Sequence, residues 1–266
     1  MRAPMTSLLL IALAATASLA TTHDASGDVL TPTSPNRYAL DLSGVRIGFV
    51  KANVVDLVGA AARDKNLVLG VHEIAPQLVA LVDGFAQGKA VTRDVRLTSG
   101  AVVRRANDAK LFSVKLPALG SGGAADVELA FVAPKVTTQP LLSAKEAPPS
   151  PSAAKIAGFR VDVSGMKAIE APKIGAITVT QREGGSSATG EITIEVAAGG
   201  APPFVAWEKA GPGKPAPRTL RVEYVDGEGA TIVKLQLDRC APTSVTPLGA
   251  SGTTRIALVC SGVRPG

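Results

Sequence analysis

Tyr38-Ala-Leu-Asp-Leu-Ser-Gly-Val-Arg46 recurs later in the chain as Phe159-Arg-Val-Asp-Val-Ser-Gly-Met-Lys167. Three further matches follow in the same order, at an offset that rises from about 121 to about 127 residues, as small loop insertions would produce. They pair Ala75–Ala80 with Ala201–Ala206, Arg93–Leu97 with Arg218–Val222, and Leu129–Val132 with Ile256–Val259. Self-similarity at a fixed long period predicts two tandem copies of a domain of roughly 100 residues each.

The composition indicates what kind of domain is repeated. The chain is 46% hydrophobic but only 3% aromatic, and it contains 27 Gly and 19 Pro. These values favour short strands of Val, Ile, Leu and Thr joined by turns of Gly, Pro and Ser, and they disfavour long helices. We therefore predict an all-β fold of the sandwich or barrel type, with one short helix in each copy.

The helix of each copy can be located from its apolar spacing. In the first copy, Pro76 suits the first turn of a helix and Gly88 suits its end. The apolar residues between them recur at helical spacing and are Leu78, Leu81, Val82 and Phe85. In the second copy the predicted helix is Pro202–Lys209, with Phe204, Val205 and Trp207 on its apolar side. We interpret Trp207 as a core anchor in preference to a ligand platform.

The second copy also predicts two hairpins. Ala176–Thr180 leads into a Gly-rich turn, and Glu191–Val196 alternates cleanly as the returning arm. The turn contains Arg182–Gly185, which local sequence alone describes as an ordinary hairpin loop. The other hairpin turns at Asp226–Gly229, between two strand-like runs.

The N-terminus predicts export. Leu8–Ala17 is an apolar run after a weakly positive start, and cleavage is expected after Ala17 or Ala20. No later segment approaches the roughly 20 unbroken apolar residues of a membrane span. We expect a chain with no membrane association after signal cleavage, in the periplasm or outside the cell. The predicted division is a signal peptide (1–20), a flexible leader (21–36), β domain 1 (37–136), a Pro/Ser/Ala linker (137–156) and β domain 2 (157–264).

The two cysteines agree with export. Cys240 and Cys260 are the minimum for one disulfide in an oxidising compartment, and the alternative is a pair of buried free thiols. With His23 and His72 they form no recognisable zinc spacing. We predict neither a metal nor a cofactor.

The motifs of common enzymes are missing from the sequence. It contains no nucleophile elbow, P-loop, dinucleotide fingerprint or metalloprotease helix. His72, with Glu73 beside it, would need an orienting carboxylate and a nucleophile to act as a general base. The net charge is +6, but the Lys and Arg residues form no cluster in the sequence and aromatic residues are scarce. Specific nucleic-acid binding is therefore not expected. We predict that the chain is not an enzyme; an enzyme would need a deep pocket with paired carboxylates or His72.

The second copy resembles a known family through several short pieces in a fixed order. They are the strand Phe159–Gly165, the hairpin Thr180–Gly185, the strand Gly190–Ile194, the helix with Phe204 and Trp207, the strand and hairpin Arg218–Gly229, and the strands around Pro242. This order resembles the phage tail tube protein family of contractile tails, whose fold is shared with the type VI secretion tube protein. The resemblance covers nearly all of residues 157–263. The first copy shares it only through its similarity to the second and lacks the Arg-Glu-Gly-Gly turn.

The resemblance implies a structural protein that self-associates. In that family a small β-sandwich or barrel is flanked by a helix, and the long hairpins of a ring of subunits combine into one inner barrel. Carried over, the inner-barrel hairpin would be Ile177–Val196, with an assembly turn of Arg182, Glu183, Gly184 and Gly185. A tandem pair would fill two places in the ring, which predicts a homo-oligomer such as a three-chain ring with pseudo-six-fold symmetry. Tail tubes assemble in the cytoplasm, in contrast to an exported chain. The alternative is a monomeric periplasmic or cell-surface binding protein on a duplicated β-sandwich.

Overall fold

The structure is a computed structural model, and it describes residues 37–53, 65–99, 102–120, 126–140, 154–167, 169–182, 184–210, 215–249 and 252–266. The predicted signal peptide and leader lie outside these residues. Within them the chain forms antiparallel strands and two short α-helices. The predicted fold class, all-β with a short helix in each half, is confirmed.

The first half is a sheet that closes on itself. Its elements are β1 (Arg37–Leu42), β2 (Val45–Asn53), β3 (Lys65–Val71), α1 (Pro76–Ala86), β4 (Thr92–Ser99), β5 (Val102–Leu116), β6 (Val127–Ala133) and β7 (Lys135–Pro140). Six strands pair in the circular order β1, β2, β3, β6, β5, β4 and back to β1. Such closure removes exposed strand edges. Strand β7 adds to β5 and includes part of the predicted linker.

The second half is an open sheet. Its elements are β8 (Gly158–Val163), β9 (Lys173–Ile174), β10 (Ile177–Gln181), β11 (Ser187–Thr189), β12 (Ile192–Ala197), α2 (Pro202–Lys209), β13 (Arg218–Val225), β14 (Thr231–Leu248), β15 (Thr253–Val259) and β16 (Gly262–Pro265). The strand order is β8-β13-β14-β15-β12-β9, and β16 adds to β14. The predicted hairpin at Asp226–Gly229 is present between β13 and β14, where the Asp226 carboxylate accepts the N–H groups of Glu228 and Ala230 at 2.9 and 2.8 Å.

Five strand pairings recur in both halves. The pairings in the first half are β1–β4, β4–β5, β5–β6, β3–β6 and β5–β7. Their equivalents in the second half, in the same order, are β8–β13, β13–β14, β14–β15, β12–β15 and β14–β16. The registers agree as well, because Asp41 faces Arg96 in one half and Asp162 faces Arg221 in the other. A duplication of one ancestral unit requires such a shared register in both halves. The duplication itself stays a prediction.

Local details of the repeated Ser-Gly sequence also recur. The backbone N–H of Asp94 donates to Ser43 Oγ at 3.2 Å, and the N–H of Thr219 donates to Ser164 Oγ at 3.1 Å. The glycine after each serine has a left-handed backbone, with φ of 81° at Gly44 and 74° at Gly165. The Ser-Gly sequence therefore follows the first strand of each half with the same contact to the serine hydroxyl and the same left-handed glycine.

The helices agree with their predicted positions. α1 buries Leu78, Leu81, Val82 and Phe85, and Gly88 follows it with φ of 80°. α2 buries Phe204 and Trp207, whereas Val205 is only partly buried. Buried residues of both halves form one continuous hydrophobic core, so the two halves share their packing.

The predicted hairpin arm in the second half is wrong. Glu191–Val196 was expected to return beside Ala176–Thr180, but β12 pairs with β15 and β9. The arm that returns beside β10 is the short strand β11. Alternation shows that one face of a strand is buried, but it does not say which neighbour supplies the hydrogen bonds. The chain therefore leaves one sheet after β11 and enters the other at β12.

Candidate functional site

Strand β10 of the second half adds to β5 of the first half. The register places Ile177 opposite Leu116 and Val179 opposite Val114, and all four side chains are buried. Full burial of each such side chain contributes about 1.5–3 kcal/mol relative to exposure. An apolar strand from one half is thus held at the sheet edge of the other, through both backbone pairing and core packing.

The tip of this hairpin rests on the end of α1. Gln181 Nε2 donates to the carbonyl oxygen of Lys89 at 2.6 Å, and Ser187 Oγ donates to the carbonyl oxygen of Phe85 at 2.7 Å. A Cβ atom added to Gly88 would overlap the carbonyl oxygen of Gly185. We call this contact, between 181–187 of the hairpin and 85–89 of the first half, the hairpin joint.

The predicted assembly turn lies within the hairpin joint. Arg182 is exposed, and its N–H donates to the carbonyl oxygen of Ser186 at 2.9 Å. Gly184 and Gly185 have φ of 93° and 83°, a conformation that glycine adopts at low cost. Glu183 lies outside the described residues. A turn at this position could be predicted from the Gly-Gly pair, but the packing of the turn on α1 could not be predicted.

Two further contacts bind the halves together. The hydroxyl of Tyr224 donates to the carbonyl oxygen of Pro117 at 3.2 Å, and burial raises the pKa of this phenol. Leu119 and Ile174 exchange two backbone hydrogen bonds of 3.0 Å. These partners are distant in the sequence and carry no shared motif, so the pattern of residues contains no signal for them.

Cys240 and Cys260 form the predicted disulfide, and the alternative of two free thiols is wrong. Both sulfur atoms are buried, at the junction where β14 passes from β13 to β15. The bond therefore ties the middle of the longest strand to the end of β15.

Removing this disulfide should destabilise the protein by roughly 3 kcal/mol, since the bond closes a loop with a sequence separation of 20. The double variant Cys240→Ala, Cys260→Ala should show this loss in urea unfolding followed by circular dichroism. The reduced wild-type protein is the matched control and should lose a similar amount. An unchanged unfolding midpoint in both samples would contradict the prediction.

His72 has a carboxylate partner at the protein surface. Its Nδ1 lies 2.7 Å from Asp126 Oδ1, and the side chain is 44% exposed. The adjacent Glu73 forms a 3.8 Å ion pair with Lys155. No Ser or Cys side chain of the described residues hydrogen-bonds to His72. A carboxylate that could orient a general base is therefore present beside His72.

A cleft is lined by β8, by residues 169–172 and by side chains of β13 and β14. Its volume is about 760 Å³, and its charged lining residues are Arg160, Arg221, Lys234, Asp162, Glu170 and Glu223. Lys234 Nζ lies 3.1 Å from Glu223, and this hydrogen bond holds the pKa of Glu223 below its ordinary value. An ionised carboxylate paired with lysine is not in the protonation state of a general acid.

The described part of the chain contains no group of three or more His, Cys, Asp or Glu side chains placed to hold a metal ion. Neither of its helices is long and apolar enough to cross a membrane. No protein-family model matches the sequence, and no curated protein matches it.

Proposed function

We propose that this chain is an exported structural protein of the tail-tube type, which self-associates by adding hairpin strands of one unit to the sheet of the next. The observation that carries the proposal is the pairing of β10 with β5, in which Ile177–Thr180 of one half extends the sheet of the other. The unit that resembles a tube subunit thus already uses its hairpin strand to join a neighbouring unit.

The physical advantage of this arrangement is the removal of strand edges. An unpaired edge exposes backbone N–H and C=O groups, and a strand from a neighbour satisfies them. Inside the chain, the neighbour is the other half. Between chains, the same kind of pairing would join successive pairs of halves into a ring or a filament, depending on whether the rotation closes.

The proposed export has one supporting structural feature. A buried disulfide between Cys240 and Cys260 is compatible with folding in an oxidising compartment, where such bonds persist. It agrees with the signal peptide predicted at residues 1–20.

The proposal predicts that the mature chain, starting after Ala20 and with its disulfide intact, assembles as its concentration rises. Sedimentation velocity should show discrete species larger than one chain, and negative-stain electron microscopy should show rings or tubes. The Gly-rich turn and the disulfide remain unchanged in this experiment, so it tests the natural protein. A strictly monomeric species at high concentration would count decisively against self-association.

A second candidate function is a monomeric binding protein on the cell surface or in the periplasm. The cleft of about 760 Å³ beside β8 favours it, because apolar side chains such as Phe159 and Val161 line it together with paired charges. Strict monomeric behaviour in the sedimentation experiment would favour this candidate over the first.

A further inference from the structure

We infer that the cleft lined by β8 and residues 169–172 binds an extended polypeptide segment, which pairs with the backbone of Phe159 as an added strand. The inference rests on the second candidate function, because it names the class of ligand that the cleft of that function takes. It does not depend on self-association. Its support is the comparison of β8 with β1, the equivalent strand of the first half.

Residues 169–174 take the place in the second half that β2 has in the first. Val161 of β8 forms an antiparallel bridge with Ile169, as Leu40 of β1 pairs with Gly48 of β2. Both partners are displaced along the sequence by the same number of residues. At its other end the segment pairs with β12 through β9, as β2 pairs with β3. The segment therefore contacts the same two neighbours as β2.

Between these two contacts the ladder along β8 is open. In the first half three further pairs follow the bridge, and they join residues 37–39 to residues 49–51. The equivalent residues are 158–160 and 170–172, and in the described part of the chain they do not pair with each other. Two residues of the first set and all three of the second line the cleft. The cleft is therefore the gap left by three missing strand pairs.

Pro172 favours this open arrangement. Proline has no N–H to donate to a ladder, and it stands where β2 has Lys51. The carbonyl oxygen of Pro172 lies so close to Gly120 of the first half that a Cβ atom added to Gly120 would overlap it. The segment is thus held from its far side by the first half, and the gap belongs to the folded chain.

The backbone of Phe159 points into this gap. Ser164 donates its N–H to the carbonyl oxygen of Thr219 in β13 at 2.9 Å. The preceding carbonyl, that of Val163, accepts the N–H of Met166 at 3.0 Å on the other side of the strand. Backbone groups alternate in direction along an antiparallel strand, so the N–H and C=O of Phe159 also face away from β13.

Burial differs in the way that a missing strand predicts. Tyr38 and Val50 pair in the first half, and each is only 1% exposed. Their equivalents, Phe159 and Ala171, are partly exposed, as is Ile169 next to them. An added strand would remove this apolar surface from water, as β2 does in the first half.

The chemistry of the gap selects a polypeptide. One donor and one acceptor on a single strand residue are complementary to the backbone of another extended segment. Arg160 and Lys234 lie 3.7 and 3.1 Å from Glu223, so these charges pair with one another, and a charged ligand would have to disrupt them. The first half shows which side chain fits the central position, because Val50 occupies it there. The ligand is therefore an extended segment with a branched apolar residue at its centre.

The experiment uses a synthetic peptide with the nine-residue sequence of β2, Val45–Asn53. The control peptide carries Val50→Pro, which removes the central backbone N–H. Isothermal titration calorimetry of the mature chain should show saturable one-to-one binding of the first peptide with a Kd below about 1 mM, and binding of the control at least about tenfold weaker. Absence of saturable binding, or equal binding of both peptides, would overturn the inference.

A variant of the protein locates the binding to the cleft. Ala171→Trp fills the cleft from one wall, since Ala171 lines it. The matched control is Ala230→Trp, at an exposed position outside the lining. We expect Ala171→Trp to bind the β2 peptide at least about tenfold more weakly, and Ala230→Trp to bind it like the wild type. Equal affinities of the two variants would overturn the inference.

Hydrogen exchange on the wild type gives an answer that does not depend on the folding of any variant. The amide of Phe159 should exchange rapidly in the free chain and at least about tenfold more slowly with saturating β2 peptide. Slow exchange in the free chain, or exchange that the peptide does not change, would overturn the inference. Either result leaves the proposed function standing, because self-association is judged by sedimentation of the chain without peptide.

Discussion

Replacing Trp207 with Ala should lower the free energy of unfolding by about 3–5 kcal/mol, the range for large aromatic side chains in cores. Trp207 is the single Trp of the chain and is 2% exposed. The centre of its ring lies 6.3 Å from the centre of the Phe204 ring. Its Nε1 also donates to the carbonyl oxygen of Ala216 at 2.7 Å. Truncation would leave a cavity and remove the donor to that oxygen. Guanidinium unfolding followed by far-ultraviolet circular dichroism measures the loss.

The conservative variant Trp207→Phe separates volume from hydrogen bonding. It keeps most of the apolar contact with the core but loses the indole N–H, and it weakens the stacking of Arg218, whose guanidinium lies 5.3 Å from the centre of the ring. We expect it to be destabilised by less than the Ala variant. A loss of less than about 1 kcal/mol in the unfolding free energy of the Ala variant would be typical of a surface substitution. Trp207 would then not be a core anchor.

Replacing Gly88 with Ala should displace the hairpin joint and destabilise the protein by about 2–5 kcal/mol. Roughly 1–2 kcal/mol arises because φ of 80° is unfavourable for a residue with a Cβ atom. About 1–3 kcal/mol more arises from overpacking, since the new Cβ atom would overlap the carbonyl oxygen of Gly185. Urea unfolding gives the total, and faster hydrogen exchange in 177–189 would show that the hairpin has moved.

Gly184→Ala is the matched control for this variant. Gly184 has φ of 93°, but no atom lies within contact distance of an added Cβ. It should therefore show only the backbone cost of about 1–2 kcal/mol, with slow exchange retained at β10. Equal destabilisation by the two substitutions, with no change in exchange at the hairpin, would show that the close approach of Gly88 to Gly185 is unimportant.

Much of the local structure could be predicted from short-range patterns. The spacing of Leu78, Leu81 and Phe85 after a proline defines α1, because helical periodicity and Pro and Gly preferences act within a few residues. The Asp226–Gly229 turn is equally local, since the Asp226 side chain bonds to its own turn. The disulfide followed from a count of two cysteines in a chain with a predicted signal.

The pairing of strands depends on contacts that no short pattern contains. Glu191–Val196 alternates as well beside β15 as it would beside β10, so its true neighbours could not be inferred. The burial of Val179 against β5 and the approach of Gly185 to Gly88 join residues far apart in the chain. Alternation, helical spacing and turn residues are local properties of the sequence and could be read from it. The choice of sheet edge for β10 depends on which apolar surfaces meet in three dimensions, and it emerges only when both halves are folded against one another.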